Sequence, residues 1–272
     1  TRYFEEIFAT SPSGEHALAH LWQEGADDER AVSELAALGF HKPEAIERQL
    51  KAMRASSRYR EMPAASQSRL DKLVPLAVEA ASALDSPDAT LERMLDLFEA
   101  VSRRGSYLAL LEEYPQALAR LTGLMSASPW VAQYLTQHPI LLDELLDTRI
   151  LYAAPDWTAA RQQLRAQLED AAGDTEKEMD VLRHFKHAHN LRLVAQDLAG
   201  LLPLETLADH LSDLANLILH ETIRACWQDL RGKHREQPAF AIIGYGKLGG
   251  KELGYASDLD LVFLYDDAAP EA

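Results

Sequence analysis

The chain has 272 residues, 47% of them hydrophobic, and a formal net charge of −16. That apolar content can bury a core in one large or two ordinary domains, while the acidic balance excludes a broad nucleic-acid surface, because phosphate neutralisation needs clustered Lys and Arg. The single cysteine, Cys226, excludes an intrachain disulfide framework and a cysteine-rich zinc site and fits a reducing cytoplasm, and no run approaches the roughly 18 to 20 apolar residues that span a bilayer.

From the amino end to about residue 232, apolar residues recur at helical spacing. The acidic run Asp27-Asp28-Glu29 reads as solvated surface. Lys42-Pro43 opens a helix over 44–53 with Ile46, Leu50 and Met53 on one face. The next spans 69–84, with Pro75 as a bend or a boundary. Ser86 as N-cap and Pro87 at the first helical position start another that runs to Val101. Helices follow over 106–113, 115–126, 129–137 and 139–146, each entered by a proline or a capping residue.

Longer helices are expected over 157–170, 175–202 and 204–229. His184, His187 and His189 cluster on the second of these, but Arg183 and Lys186 beside them disfavour a cation, so the cluster reads as an exposed basic helix face. Cys226, next to Trp227 on an apolar helix, reads as a core residue. A polar connector with Gly232 and Pro238 then changes the character of the chain, and short apolar runs over 239–243 and 259–264 both read as buried strands. The expected class is mainly α, a helical bundle region followed by a strand-helix-strand opening of an α/β unit. The corresponding division is 1–85, 86–236 and 237–272. Beginning at Thr1 and stopping at Ala272, just after the second strand, the chain is read as a piece of a longer protein.

The chemistry is concentrated near the carboxyl end, in Gly244-Tyr-Gly-Lys-Leu-Gly-Gly-Lys-Glu-Leu-Gly-Tyr-Ala-Ser-Asp-Leu-Asp-Leu-Val-Phe-Leu-Tyr. Side chains alternate along a strand, so Asp258 and Asp260 at period two point the same way. Two such carboxylates repel, and a hard divalent cation with oxygen ligands, Mg²⁺ above all, removes that cost most simply. The pair Gly249-Gly250 is placed at the mouth of a short helix, whose free N–H groups favour phosphate. Lys247 is either a surface lysine or a point charge for a triphosphate, and Ser257 either caps the strand entry or positions a phosphate oxygen. Standing alone, Asp-x-Asp could also be a solvated strand edge.

Two better-known glycine motifs fail on spacing. Gly244-Tyr-Gly-Lys-Leu-Gly fits the dinucleotide pattern, but the next strand starts too soon for a full crossover helix. A P-loop needs Gly-Lys followed by Ser or Thr, and here Lys251 is followed by Glu252.

What survives, Gly-Gly, a short spacer and Asp-x-Asp on an apolar strand, resembles the DNA polymerase beta-like nucleotidyltransferase superfamily. The full string resembles the glutamine synthetase adenylyltransferase family. The stretches Arg103-Arg-Gly-Ser-Tyr-Leu-Ala-Leu-Leu-Glu-Glu-Tyr-Pro and His138-Pro-Ile-Leu-Leu-Asp-Glu-Leu-Leu-Asp are similar to the helices ahead of that family's adenylylating half, and Leu35-Ala-Ala-Leu-Gly-Phe is a weaker match. The resemblance covers residues 85–272 well and the first 85 loosely.

It implies a cytoplasmic bacterial enzyme that moves AMP from ATP to a tyrosine of glutamine synthetase, with the PII signalling protein as regulatory partner. It implies that Asp258 and Asp260 hold Mg²⁺ and are catalytic, and that Gly244, Gly246, Lys247, Gly249, Gly250 and Ser257 line the ATP phosphates. Tyr245, Tyr255 and the Ser-Asp-Leu-Asp string are more like the adenylylating half than the deadenylylating one. The family's third carboxylate lies on a later strand, and Asp266 and Asp267 follow too closely to replace it, so the piece alone is expected to be inactive. Spacing leaves open the phosphate-dependent removal of AMP, and also a catalytically silent helical interaction module. A nucleic-acid-directed nucleotidyltransferase is disfavoured by the acidic charge.

Overall fold

Prolines and small polar residues set the helix starts. Pro43, Pro87, Pro115 and Pro129 each stand in a first turn, where the missing N–H would have had no helical partner anyway. At Ser56, Ser128, Asp156 and Asp174 a side-chain oxygen accepts a backbone N–H of the first turn. The structure is a computed structural model and describes residues 17–23, 28–233 and 235–266. It is mainly α with a strand pair at the end, and it divides into two units, Thr1–Asp147 and Thr148–Ala272.

The first unit begins with a 3-10 turn, Ala19–Trp22, and continues through α1 (Asp28–Ala37), α2 (Pro43–Ala55), α3 (Ser57–Arg60), α4 (Ala64–Ser82), α5 (Pro87–Val101), α6 (Gly105–Glu113), α7 (Pro115–Ala127), α8 (Pro129–Gln137) and a 3-10 segment, Pro139–Leu145. Helix α4 packs on α5, α6 and α7, and Leu70, Leu73, Val74, Leu91, Leu97, Phe98, Leu108 and Leu118 are fully buried there. Pro75 neither ends nor divides α4 and is itself buried. Ser86 occupies the N-cap position but its hydroxyl makes no cap; its carbonyl accepts from Thr90, 2.7 Å from Oγ1 and 3.0 Å from N. The segment after Pro139 winds as 3-10, not α, which turns Leu141, Leu142 and Leu145 inward together within seven residues. Of the acidic run, Asp28 and Glu29 are exposed, and Asp27 lies outside the described residues.

The second unit contains α9 (Thr148–Leu151), α10 (Trp157–Asp170), α11 (Thr175–Leu198), α12 (Leu204–Asp229), β1 (Phe240–Gly244), α13 (Gly246–Gly249) and β2 (Leu261–Tyr265). Helices α10, α11 and α12 bury Ala160, Leu164, Leu168, Phe185, Leu214 and Leu217 among themselves. Helix α11 stops at Leu198, short of residue 202, because Gly200 closes it: Leu201 N–H reaches the Gln196 carbonyl at 2.9 Å. Glu221, only 1% exposed, fastens α10 to α12, with Arg165 Nε 3.0 Å from both carboxylate oxygens and Arg224 Nε at 2.7 Å. No helix among the described residues is long and apolar enough to cross a membrane.

Two expectations on these helices are corrected. His189 leaves the exposed basic face and packs on Phe185 and Trp157, ring centroids 4.3 and 5.5 Å away, while His184 is exposed as expected. One residue along a helix turns a side chain by about 100 degrees, so His189 follows its buried neighbours Phe185 and Ala188, not His184. Cys226 is exposed, not core, because Glu221 and Ala225, one turn apart, take the inward stripe of α12.

Strands β1 and β2 form an antiparallel pair in the register Phe240↔Tyr265, Ile242↔Phe263 and Gly244↔Leu261. Their apolar sequence suits burial on both faces. The expected burial of both strands is nevertheless corrected, since Phe240 is 40% and Ile243 39% exposed on β1, and Phe263 is 56% exposed on β2. Two strands alone cannot cover one another's faces; Phe240 and Phe263 do stack, centroids 5.8 Å apart.

Candidate active site

The glycine string folds back on the end of the strand pair. Beyond the ladder, Tyr245 N–H donates to the Asp260 carbonyl at 2.8 Å, so the segment carrying the carboxylates is registered by a backbone bond. The two aspartates do not open the strand as the sequence suggested: β2 starts at Leu261, and Asp258 and Asp260 precede it in irregular backbone. The chain is still turning there, because Ser257 N–H bonds to Gly254 O at 3.1 Å and Gly254 N–H to Ser257 Oγ at 2.9 Å. Ser257 thus closes a turn just ahead of Asp258.

The short helix also sits differently from expectation. It is α13, four residues directly after β1, so Gly249-Gly250 stands at its carboxyl-terminal end and not its mouth. Gly249 N–H is taken by Tyr245 O at 3.1 Å and Gly250 N–H by Gly246 O at 3.0 Å. Close approach explains two of the glycines. Gly246 has φ +52, and a Cβ there would collide with the Asp260 carboxylate. A Cβ on Gly249 would lie 2.5 Å from the Gly244 carbonyl oxygen, a backbone atom that cannot turn aside. The glycines therefore bring Gly244, Gly246, Gly249 and Asp260 together in one tight knot.

Asp258, Asp260 and Lys247 are exposed, and neither carboxylate has an ion-pair partner among the described residues. Among those residues no group of three or more His, Cys, Asp or Glu is gathered for a metal. The two carboxylates are hard, anionic and open to solvent. That donor set fits an Mg²⁺ that keeps several waters and takes its remaining oxygens from substrate phosphates. Of the later acids, Asp266 continues the ladder through its N–H to Ala239 O at 2.9 Å, and Asp267 lies outside the described residues.

The knot is seated on the helices by residues that carried no expected site role. Leu248 and Leu253 are buried with Leu193 of α11 and with Leu207 and Leu211 of α12, and Tyr255 and Leu261 pack against the same cluster. Tyr255 Oη donates to the Asp197 carboxylate at 2.9 Å. Burial pushes the Tyr255 hydroxyl well above the ordinary phenol range, and the bond to Asp197 adds to that shift. Lys251 Nζ lies 3.5 Å from Asp209 of α12. The apolar spacing of Leu248 and Leu253 within a polar glycine string was a legible signal. Nothing in the sequence pairs Tyr255 with an aspartate 58 positions earlier. A cleft of about 540 Å³ separates α12, at Asn216 and His220, from β1 and α13, and opens beside Gly244, Gly249 and Lys251.

A family model described as glutamate-ammonia ligase adenylyltransferase matches residues 118–272. The chain is 54% identical to a bifunctional glutamine synthetase adenylyltransferase/adenylyl-removing enzyme of Chromobacterium violaceum, the match covering 100% of the chain and 30% of that protein. It is 53% identical to the enzyme of the same name from Aromatoleum aromaticum, over 100% of the chain and 29% of the relative, and 47% identical to that of Ralstonia nicotianae, over 98% and 29%. The chain thus spans about 30% of the length of these relatives.

Proposed function

We propose that this chain, which belongs to the glutamate-ammonia ligase adenylyltransferase family, carries part of the nucleotide- and metal-binding site of an enzyme that transfers AMP from ATP to a tyrosine of glutamine synthetase. The observation that carries the reading is the knot itself: the Asp260 carboxylate lies against Gly246, Asp258 stands two residues away, and both face solvent without a basic partner. In this reading Asp258 and Asp260 hold Mg²⁺, which when bound would neutralise charge on the ATP phosphates. Gly244, Gly246, Gly249 and Gly250 keep the backbone low enough for the triphosphate to approach. Lys247, exposed on α13, supplies a positive charge to it, and Ser257 shapes the turn that presents Asp258. The acceptor tyrosine oxygen attacks the α-phosphorus, the bond to the bridging oxygen breaks, and pyrophosphate leaves with the electron pair while the phenolic proton passes to solvent. Positioning and electrostatic stabilisation supply most of the acceleration.

The relatives' names also include adenylyl removal, which keeps the phosphate-dependent release of the adenylyl group, as ADP, as the second reading. The Tyr245, Tyr255 and Ser257-to-Asp260 string supports the forward one by resemblance to the adenylylating half. PII as regulator and the cytoplasm as location rest on family resemblance. In the complete natural polypeptide, Asp258→Asn and Asp260→Asn should each lower AMP transfer from labelled ATP to glutamine synthetase by about 10² or more, with the circular dichroism spectrum unchanged. Near-normal turnover at saturating Mg²⁺ in both variants would overturn the assignment. Transfer intact in both, but phosphate-driven release of the adenylyl group lost, would select the second reading.

A further inference from the structure

From Leu253 to Asp260, three contacts along the carboxylate-bearing segment bear on where it stands. Leu253 is 7% exposed within the α11–α12 cluster, Tyr255 is bonded to Asp197, and the Asp260 carbonyl is bonded to Tyr245. Asp258 lies between the second and third of these holds. The second ties it to the helices by a directional bond close to Asp258, whereas Leu253 is held by non-directional packing, the Lys251–Asp209 pair lies seven residues before Asp258, and the Tyr245 bond stays within the glycine knot itself.

Asp197 is an odd residue for its place. It is the penultimate residue of α11, where the helix dipole disfavours a negative charge, and it is partly withdrawn from solvent. A helix former or a basic residue would serve α11 better. A hydroxyl donor from the catalytic segment gives the carboxylate a reason to be there, since a hydrogen bond to a charged acceptor is stronger than one between neutral groups.

We infer that Tyr255 and Asp197 form a positioning pair that fixes the Asp258–Asp260 segment against the end of α11, so that the helical part of the unit sets where the two carboxylates stand. The inference rests on the proposed AMP-transfer reading for its catalytic consequence, but not for its structural one. Neither residue touches the reacting atoms; both act through the backbone between Tyr255 and Asp258.

The test uses the complete natural polypeptide with Tyr255→Phe, Asp197→Ala, the double variant, and Asp197→Asn, whose amide oxygen can still accept from the phenol. Two quantities are read: the Mg²⁺ concentration at half-maximal AMP transfer, and hydrogen exchange of the amides of residues 254–260 without metal or nucleotide. Tyr255→Phe and Asp197→Ala should each raise the half-maximal Mg²⁺ by about tenfold and speed exchange in that segment by a similar factor, as loss of one charge-assisted bond predicts. The double variant should be no worse than either single one, Asp197→Asn should stay near the parent, and exchange in α12 should not change. Faster exchange with an unchanged Mg²⁺ requirement would make the pair merely structural and overturn the inference, as would parent-like values in both readouts or additive single effects. Retained transfer in Asp258→Asn would defeat the functional reading alone, because the exchange measurement still decides whether the pair holds the segment.

Discussion

His189 shows how one position along a helix changes a residue's chemistry. Its ring lies between Phe185 and Trp157, and burial, with the nearby charge of Arg192 as a smaller cause, lowers its pKa from 6.5 to about 4. Below about pH 6.5 the unfolded chain takes up this proton, while the folded chain takes it up only near pH 4. The contribution to stability is therefore present above pH 6.5 and is lost as the pH falls between those values, by roughly 3 kcal/mol in all. Chemical denaturation at pH 7 and at pH 4.5 should show this loss in the parent. In His189→Leu the part of the slope due to this residue should vanish, and an unchanged slope would place the proton elsewhere.

At the scale of elements, α10 is joined to α12 by an apolar stripe and one buried carboxylate. Burial opposes the charge on Glu221, but hydrogen bonds from Arg165 and Arg224 outweigh it and hold the carboxyl below its ordinary value. Arg165 is half exposed and so partly screened, which makes the pairing weaker than a fully buried one. Glu221→Ala strands two guanidinium groups and opens space beside Ala225, and should cost about 3 kcal/mol; equilibrium urea denaturation of the single variant measures it. Glu221→Gln keeps the shape and loses the charge, and should fall between. A cost below about 0.5 kcal/mol for Glu221→Ala, the size of an exposed pair, would show that the apolar stripe alone fastens α10.

For the molecule as a whole, each unit has its own buried side chains, and among the described residues the segment after Pro238 contributes Leu248, Leu253 and their neighbours to the second. A chain ending at Arg231 should therefore keep its helical circular dichroism and one or more cooperative thermal transitions. Exposing Leu193, Leu207 and Leu211 where Leu248 and Leu253 had covered them should lower the last transition by a few degrees, on the order of 2–4 °C per kcal/mol lost for a chain of this size. Loss of cooperativity throughout would show that the glycine segment is integral to the helical core.

The sequence by itself determined the helices and the chemical string. Proline and capping residues act within one turn, so 129–137, 157–170 and 204–229 were legible to the residue, and the mainly α class followed. The paired aspartates and the glycines stood out because few residue types suit metal and phosphate chemistry, the role proposed for them above. Tertiary structure decided what depends on contacts distant in sequence. It placed Gly249-Gly250 at the end of α13, started β2 after Asp260, exposed Cys226 and packed His189 on Phe185. It also joined Tyr255 to Asp197 and seated Leu248 and Leu253 on α11 and α12. Periodicity reports which side of a helix is apolar, whereas the partner that covers that side is chosen only when the chain folds back on itself.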